Sequence, residues 1–167
     1  MALSSAPGTL PLYCTRFPGL TSVFQPNRAF LDQFPNAQFW DVIDRRQVEA
    51  DTLDRVIAEN DLPAIDVLKI DTQGSELSIL QGATQALESI LCLEVEVEYL
   101  PMYEGQPLHM DVDRFVRPFG FLLAWVDTHT WIRTHDQRAC VVWADFVYLK
   151  HGATSEKAKA CAKVYGL

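Results

Sequence analysis

The sequence has no long hydrophobic run and few cysteines. No stretch of about 18 uncharged apolar residues occurs, which argues against a membrane-spanning helix. The first residues lack the basic and then apolar pattern of a signal peptide, so we predict a cytosolic protein. The four cysteines, at positions 14, 92, 140 and 161, are widely separated and show no C-x-x-C spacing, so neither a zinc site nor a redox pair is indicated.

Positive charge is also scarce. Lys and Arg number 14 against 22 Asp and Glu, a formal net charge of -8. Nucleic acid and anionic membrane surfaces would repel such a chain, so both are excluded as expected partners, and a small molecule or a protein is favoured. No serine or cysteine nucleophile motif is present, and His109, His129 and His135 lack metal-ligand spacing. We therefore predict no metal site, and the missing nucleophile motif fits a reaction in which the protein mainly orients two substrates.

The composition is that of one globular domain, with 167 residues of which 49% are apolar and 22% charged. We divide it into residues 1–48, with irregular chain and edge strands, an α/β core at 49–150 and a tail helix at 151–167. In the tail, Ser155 is a suitable helix cap for a helix over 154–163.

The most informative segment is a strand, a turn and a helix at residues 65–89. Residues 65–70 are almost continuously apolar, as in a strand covered on both faces, and Asp71 follows at the carboxyl end. The chain then turns through Gly74 into a helix with Glu76 in its first turn, predicted to end near Ser89. In open parallel sheets ligands bind at such carboxyl ends.

A second strand is predicted at residues 90–98, where Glu94, Glu96 and Glu98 alternate with apolar residues and share one face. A strand, a helix and a strand in succession require a right-handed crossover and a parallel pair. The linker at 99–108 then lies on the same rim as Asp71, as a candidate pocket wall. Further strands are expected at 119–127 and 140–150.

Each candidate side chain has a structural alternative. We expect Asp71 either to contact a cofactor, bind a metal or polarise an acceptor hydroxyl, or to cap the next helix. Glu94 and Glu96 are expected to act as bases or metal ligands, or else to form a solvated strand face. Tyr103 and Gln106 are expected to contact substrate, or else to pack a Pro-rich turn.

Three neighbours of Asp71 have a structural role at least as often as a functional one. For Lys69 the structural role is favoured, as the partner of Asp71 or of a glutamate. Gly74 is expected either to allow the backbone conformation of the turn or to let a ligand approach it. Glu76 is more often a helix acid in the first turn than a catalyst.

The segment DVLKIDTQGSELSILQGA at 66–83 resembles the signature of the FkbM family of S-adenosylmethionine-dependent methyltransferases. Three further segments resemble the family in the same order: TSVFQPN at 21–27, ADTLDRVI at 50–57 and LEVEVEYLPMYEGQPL at 93–108. About 130 residues align in this way.

The resemblance implies a partial class I methyltransferase sheet of Rossmann-like type, with residues 65–71 as its fourth strand, 91–98 as its fifth and a terminal antiparallel pair at 119–150. It also implies O-methylation of a small molecule or sugar with S-adenosylmethionine as cofactor. The site residues it implies are, for catalysis, Asp71 and Glu96; for the cofactor, Asp71, Gln73 and Gly74; and for the substrate, Glu94, Tyr103 and Gln106.

The resemblance also exposes a gap near the amino terminus. Family members carry a glycine-rich turn and an acidic residue for the ribose before the region seen here, and neither has a counterpart between Met1 and Gly19. We therefore expect an amino-terminally truncated domain in which strand 65–70 lacks a neighbour. Such an edge predicts a homodimer, aggregation, or coverage by residues 9–48. The alternative function is a non-catalytic interaction module that keeps the sheet and has lost the cofactor.

Overall fold

The computed structural model describes residues 1–152 and 155–166, which form two β-sheets with helices packed around them. The first sheet has the strand order β1-β3-β2, and the second has the order β4-β5-β7-β6. The strands are β1 (Ala2–Leu3), β2 (Gly8–Thr15), β3 (Val42–Asp51), β4 (Val67–Ile70), β5 (Cys92–Glu98), β6 (Phe121–Ile132) and β7 (Ala139–Lys150). The expected mixed α/β class is confirmed.

The helices are short, and none of those described is long and apolar enough to cross a membrane. They are α1 (Arg28–Leu31), α2 (Leu53–Glu59), α3 (Glu76–Gln81), α4 (Ala86–Ser89), α5 (His109–Val116) and α6 (Glu156–Val164). Three 3-10 turns join them, at Pro18–Leu20, Ala37–Trp40 and Arg117–Phe119. Ser155 caps α6 as predicted, accepting the N–H of Ala158, whereas the predicted start at Thr154 and the terminal Leu167 lie outside the described residues.

The second sheet brings three carboxyl ends to one rim. β4 and β5 are parallel as predicted, with Ile70 opposite Val95. β7 is antiparallel to both β5 and β6. β4, β5 and β6 therefore run in the same direction, and Asp71, the loop at 99–108 and Trp131 share the rim where these strands end.

Two apolar clusters hold the elements in place. The larger one packs α3, α4 and α5 against one face of the second sheet, through buried residues such as Leu80, Leu87, Leu93 and Val95. The smaller one lies at the rim, where residues 30–40 pack on the loop after β5; its buried members are Phe30, Leu31, Phe34, Trp40, Met102, Tyr103 and Val142. Because burial of each large apolar side chain contributes about 1.5–3 kcal/mol, this irregular segment is firmly anchored.

The prediction of one helix from Gly74 to Ser89 is wrong in one respect. The helix breaks at Gly82 into α3 and α4. A Cβ at Gly82 would lie 2.0 Å from the backbone oxygen of Ser4, so the amino-terminal chain fills the space beside the helix. The Asp54 carboxylate then accepts the backbone N–H groups of Gln85 and Ala86, both at 2.9 Å. These bonds give α4 a cap from a distant part of the chain.

Other boundaries also differ from the predictions. The segment expected to hold irregular chain and edge strands ends in a strand, β3, that follows a 3-10 turn and runs past residue 48 to Asp51. The strand expected at 119–127 continues to Ile132. Among the residues described, β4 pairs with β5 alone, so its outer edge has no strand partner. Residues 9–48 do not pair with that edge, because β2 and β3 pair with each other instead. The homodimer stays a prediction.

We predict that Gly82→Ala destabilises the fold, because the added methyl group would clash with a backbone oxygen. A backbone atom cannot move aside by a change of rotamer, as a side chain can. Urea denaturation should show a loss of roughly 1–3 kcal/mol in the free energy of unfolding. Gly8→Ala is the matched control, since no atom lies within 4 Å of its Cβ position. Equal stability of the two variants would contradict this account of the helix break.

Candidate active site

The turn after β4 has an unusual backbone. Gln73 and Gly74 both have positive φ angles, 59° and 103°. The left-handed region costs a non-glycine residue about 1 kcal/mol or more, so contacts elsewhere must hold Gln73 there. The space beside Gly74 is filled, since a Cβ there would lie 3.4 Å from Cβ of Gln106 and 3.5 Å from the Phe24 ring. Gly74 therefore allows the loop after β5 to pack closely on the turn.

The side chain of Gln73 joins the two residues predicted to be catalytic. Its Nε2 donates to Oδ1 of Asp71 at 3.1 Å and to Oε1 of Glu96 at 2.7 Å. Its Oε1 accepts from the Tyr103 hydroxyl at 3.0 Å, and its backbone oxygen accepts from Oγ of Ser22 at 2.7 Å. The structure thus brings Asp71 and Glu96 together, but the Gln73 amide that was expected to bind cofactor is occupied by protein groups.

Tyr103 and Gln106, predicted to bind substrate, lie behind this turn. Tyr103 is fully buried, and its hydroxyl is 2.9 Å from the backbone oxygen of Leu20 as well as close to Gln73. Gln106 is buried too, and its Oε1 accepts the N–H of Tyr103. Its Nε2 has no hydrogen-bond partner in the part of the chain that the structure describes. Both side chains support the turn from inside.

Burial gives Glu96 an unusual acidity. Its exposed fraction is 6%, whereas Asp71 is exposed at the mouth of the site. Burial in the first place, and then the charge of nearby Asp71, raise the pKa of Glu96 to about 8. At neutral pH Glu96 therefore holds a proton beside an accessible carboxylate, an arrangement suited to exchanging a proton with a bound hydroxyl.

Two further carboxyl groups lie behind this pair. Burial, followed by the charges of Glu76 and Glu96, raises the pKa of Glu98 to about 9, and its Oε1 has no hydrogen-bond partner among residues 1–152 and 155–166. Glu76 is also buried, which raises its pKa. Its Oε1 accepts from the backbone N–H of Thr72 at 2.7 Å and from the Thr72 hydroxyl at 2.9 Å. Glu76 therefore closes the turn by bonding back to its start.

Glu94 shares a face of β5 with Glu96 but has different partners. It forms an ion pair with Lys69 on the neighbouring strand and accepts a hydrogen bond from the Tyr165 hydroxyl beyond α6. The prediction that Lys69 pairs with a glutamate is confirmed. Glu94 holds the tail helix to the sheet, and the structure does not bring it together with Asp71 and Glu96.

The family model for the methyltransferase FkbM domain matches residues 16–123, which is more than half of the chain. The chain belongs to the FkbM methyltransferase family. Asp71, Gln73, Glu96 and the loop at 99–108 lie within the match. Comparison with curated proteins and with solved structures gave no significant match.

Two residues outside the FkbM match also reach the site, and neither was predicted from the sequence to belong to it. Asp145 on β7 is the register partner of Glu96, and burial raises its pKa. His129 on β6 lies with Nε2 3.5 Å from Oδ2 of Asp145, and its ring stacks on Trp143 with centroids 3.5 Å apart. The alternation of Trp143 and Asp145 along β7 places both on one face and could have indicated this. No three such groups in the described ranges are arranged to hold a metal ion.

The turn after β4 borders a cavity of about 300 Å³. Four hydroxyl groups line it together with apolar side chains, and no lining residue is acidic. The lining residues are Ala2, Leu3, Leu12, Thr21, Ser22, Val23, Thr72, Ser75 and Ile79. A polar ligand bound there would lie against the first residues of the turn that Asp71 begins.

We predict that the raised pKa of Glu96 makes the fold less stable in alkali. The unfolded chain releases this proton near pH 4.5 and the folded chain near pH 8, so the free energy of unfolding falls as pH rises between those values. Glu96→Gln removes this loss while leaving an oxygen for Gln73. We expect a gain of at least about 1 kcal/mol at pH 9, or roughly 3 °C in melting temperature, and little change at pH 4.

Glu49→Gln, which neutralises an exposed carboxylate on β3, is the control for the loss of one charge. Melting curves from pH 4 to pH 9 compare the three proteins. If Glu96→Gln and Glu49→Gln show the same dependence on pH, Glu96 does not hold its proton in the folded chain.

Proposed function

We propose that this chain is a methyltransferase that uses S-adenosylmethionine and methylates an oxygen of a small molecule or sugar. The observation that carries the proposal is the Asp71 and Glu96 pair, held by one amide at the carboxyl end of β4. The family supports methyl transfer. We further propose that the second sheet is part of a class I methyltransferase sheet, to which its parallel β4 and β5 and its reversed β7 are suited.

The residues around the turn fit one end of this cofactor. Asp71 offers an exposed carboxylate to a positive charge. The Thr21 hydroxyl accepts the N–H of Thr15 and keeps its own proton free for a carboxylate in the adjoining cavity. These groups would hold the amino-acid portion. The absence of an acidic residue from the described lining leaves the ribose hydroxyls without the partner typical of nucleotide sites. When bound, S-adenosylmethionine supplies a methyl group on a positively charged sulfur.

The chain's own residues would position the acceptor and take its proton. An acceptor hydroxyl must lose its proton as the new bond to carbon forms, so a base is needed within hydrogen-bond reach. The ionised form of Glu96 is that base, since its pKa near 8 leaves it a stronger base than an ordinary carboxylate. Gln73 fixes its orientation relative to Asp71, which reduces the entropy lost on reaching the reactive geometry.

Calorimetric titration with S-adenosylhomocysteine tests the cofactor assignment. We expect micromolar binding, weakened at least tenfold in Asp71→Asn because the attraction between the carboxylate and the ligand's ammonium group is lost. Asp61→Asn, which makes the same change at an exposed position away from the turn, should bind as the unmodified chain does. No heat from a folded sample would overturn the assignment and favour a non-catalytic module.

The role of Glu96 is tested by transfer of a labelled methyl group to a panel of hydroxyl compounds. For an acceptor that reacts, kcat/KM should rise with pH through about 8 as Glu96 of the free chain ionises. Glu96→Gln should lower kcat by about 10²-fold or more and lose this dependence. An unchanged pH profile in the variant would exclude Glu96 as the base.

A further inference from the structure

A groove lies between α5 and the antiparallel pair of β6 and β7, and we call it the α5 groove. Its volume is about 460 Å³, within the range of small-molecule sites. Phe146 on β7 lines it, and the next residue back along the strand is Asp145, the register partner of Glu96. Because successive residues of a strand point to opposite faces, the groove lies across the sheet from Glu96. The full lining is His109, Met110, Asp113, Arg114, Arg117, Leu123 and Phe146.

Most of the lining comes from one side of α5. The residues at positions 109, 110, 113, 114 and 117 follow one another at steps of three and four, which places them on one face of a helix. Val112 and Val116 lie on the other side and are buried in the larger apolar cluster. The outer side of α5 therefore presents an imidazole, a carboxylate and two guanidinium groups next to the apolar side chains of Leu123 and Phe146.

The charge of the groove is positive, although the whole chain carries a net charge of -8. Oδ1 of Asp113 accepts from Nε of Arg117 at 3.0 Å and lies 2.9 Å from its Nη2, so these two charges neutralise each other. Arg114 is exposed and forms no ion pair with any of the residues described. Asp111, one turn before it, accepts the N–H of Leu108 instead. The guanidinium of Arg114 is therefore the charge left without a partner.

The walls of the α5 groove are already in place. The His109 ring stacks on Tyr99, with centroids 4.0 Å apart and an interplanar angle of 15°, and stands edge-on to Phe146 at 6.3 Å and 77°. Such contacts fix the orientation of a ring. Asp113 is held from below by the hydroxyl of buried Tyr148 at 3.3 Å, and it holds Arg117 in turn. A ligand would therefore bind without the cost of ordering these side chains.

We propose that the α5 groove binds a small molecule that carries one carboxylate on an apolar ring. Its single negative charge matches the single unpaired positive charge of the groove. The planar carboxylate fits the fork of donors on the Arg114 guanidinium. The apolar ring lies against Leu123 and Phe146, beside the His109 ring. This site goes beyond methyl transfer and does not depend on it.

Other ligand classes match the charge of the groove less well. A phosphate monoester carries about 1.5 to 2 negative charges, so part of its charge would stay unmatched in the field of an acidic chain. Nucleic acid would meet the same repulsion many times over. A neutral apolar ligand would displace water from the Arg114 guanidinium without offering it an acceptor. A monocarboxylate avoids all three costs.

Naphthalene-2-carboxylate and naphthalene-2-carboxamide test the site, since these two probes share a ring and differ in charge. Titration into the ¹⁵N-labelled chain at pH 7, followed by NMR, gives both the Kd and the place of binding. We expect the carboxylate to shift the amide signals of residues 109–117 and 121–125. It should bind at least about fivefold more tightly than the carboxamide. Arg114→Gln should remove this preference by weakening the carboxylate alone.

Arg138→Gln is the matched control, since it removes a positive charge from a side chain that is 82% exposed and does not line the groove. It should bind both probes as the unmodified chain does. Because Arg114 is exposed, its variant should fold, and the NMR spectrum of the free chain checks this. Equal affinity for the two probes, an equal effect of the two substitutions, or shifts confined to other parts of the chain would each overturn the proposal.

Discussion

The arrangement of this site depends on a single amide group. The Gln73 side chain contacts Asp71, Glu96 and Tyr103, and so joins the end of β4, the middle of β5 and the loop that follows it. It reaches all three because its backbone is left-handed, a conformation that is unfavourable for glutamine by itself. The hydrogen bond from Ser22 to the Gln73 backbone oxygen helps to hold it there. The strain of the turn and the pairing of the carboxyl groups are therefore linked through one residue.

The irregular segment between β2 and β3 packs on the loop after β5 and so supports the site. The Leu20 backbone oxygen contacts the Tyr103 hydroxyl, and the Asn27 side chain donates to the backbone oxygen of Pro101. The start of this segment lines the cavity of about 300 Å³ beside the turn, and its end lines a second cavity, of about 410 Å³, together with residues 130–132. One stretch of chain thus borders both spaces.

Local features of the fold could be predicted from the sequence, and distant contacts could not. The Ser155 cap, the strand before Asp71 and the shared face of Glu94, Glu96 and Glu98 follow from residues close in sequence. The break at Gly82 depends on the backbone of Ser4, and the position of Asp145 depends on the register of β7 against β5. The position of Gln73 was predicted but its contacts were not, because they depend on a left-handed backbone that the sequence does not favour. The residues alone gave Glu94 and Glu96 the same alternatives, and the structure separates them because Lys69 and Tyr165 engage only Glu94.

The carboxyl groups at the centre of the site pose an electrostatic problem. Within the described ranges, no basic side chain forms an ion pair with Asp71, Glu76, Glu96 or Glu98, because nearby Lys69 is engaged by Glu94. The raised pKa values of Glu96 and Glu98 mean that the fold reduces this repulsion by retaining protons. A positive charge bound beside Asp71 would stabilise the ionised form of Glu96 and lower its pKa toward neutrality. Binding of a sulfonium donor and formation of the base would then be coupled, so that the deprotonated carboxylate is most populated when the methyl group is in place.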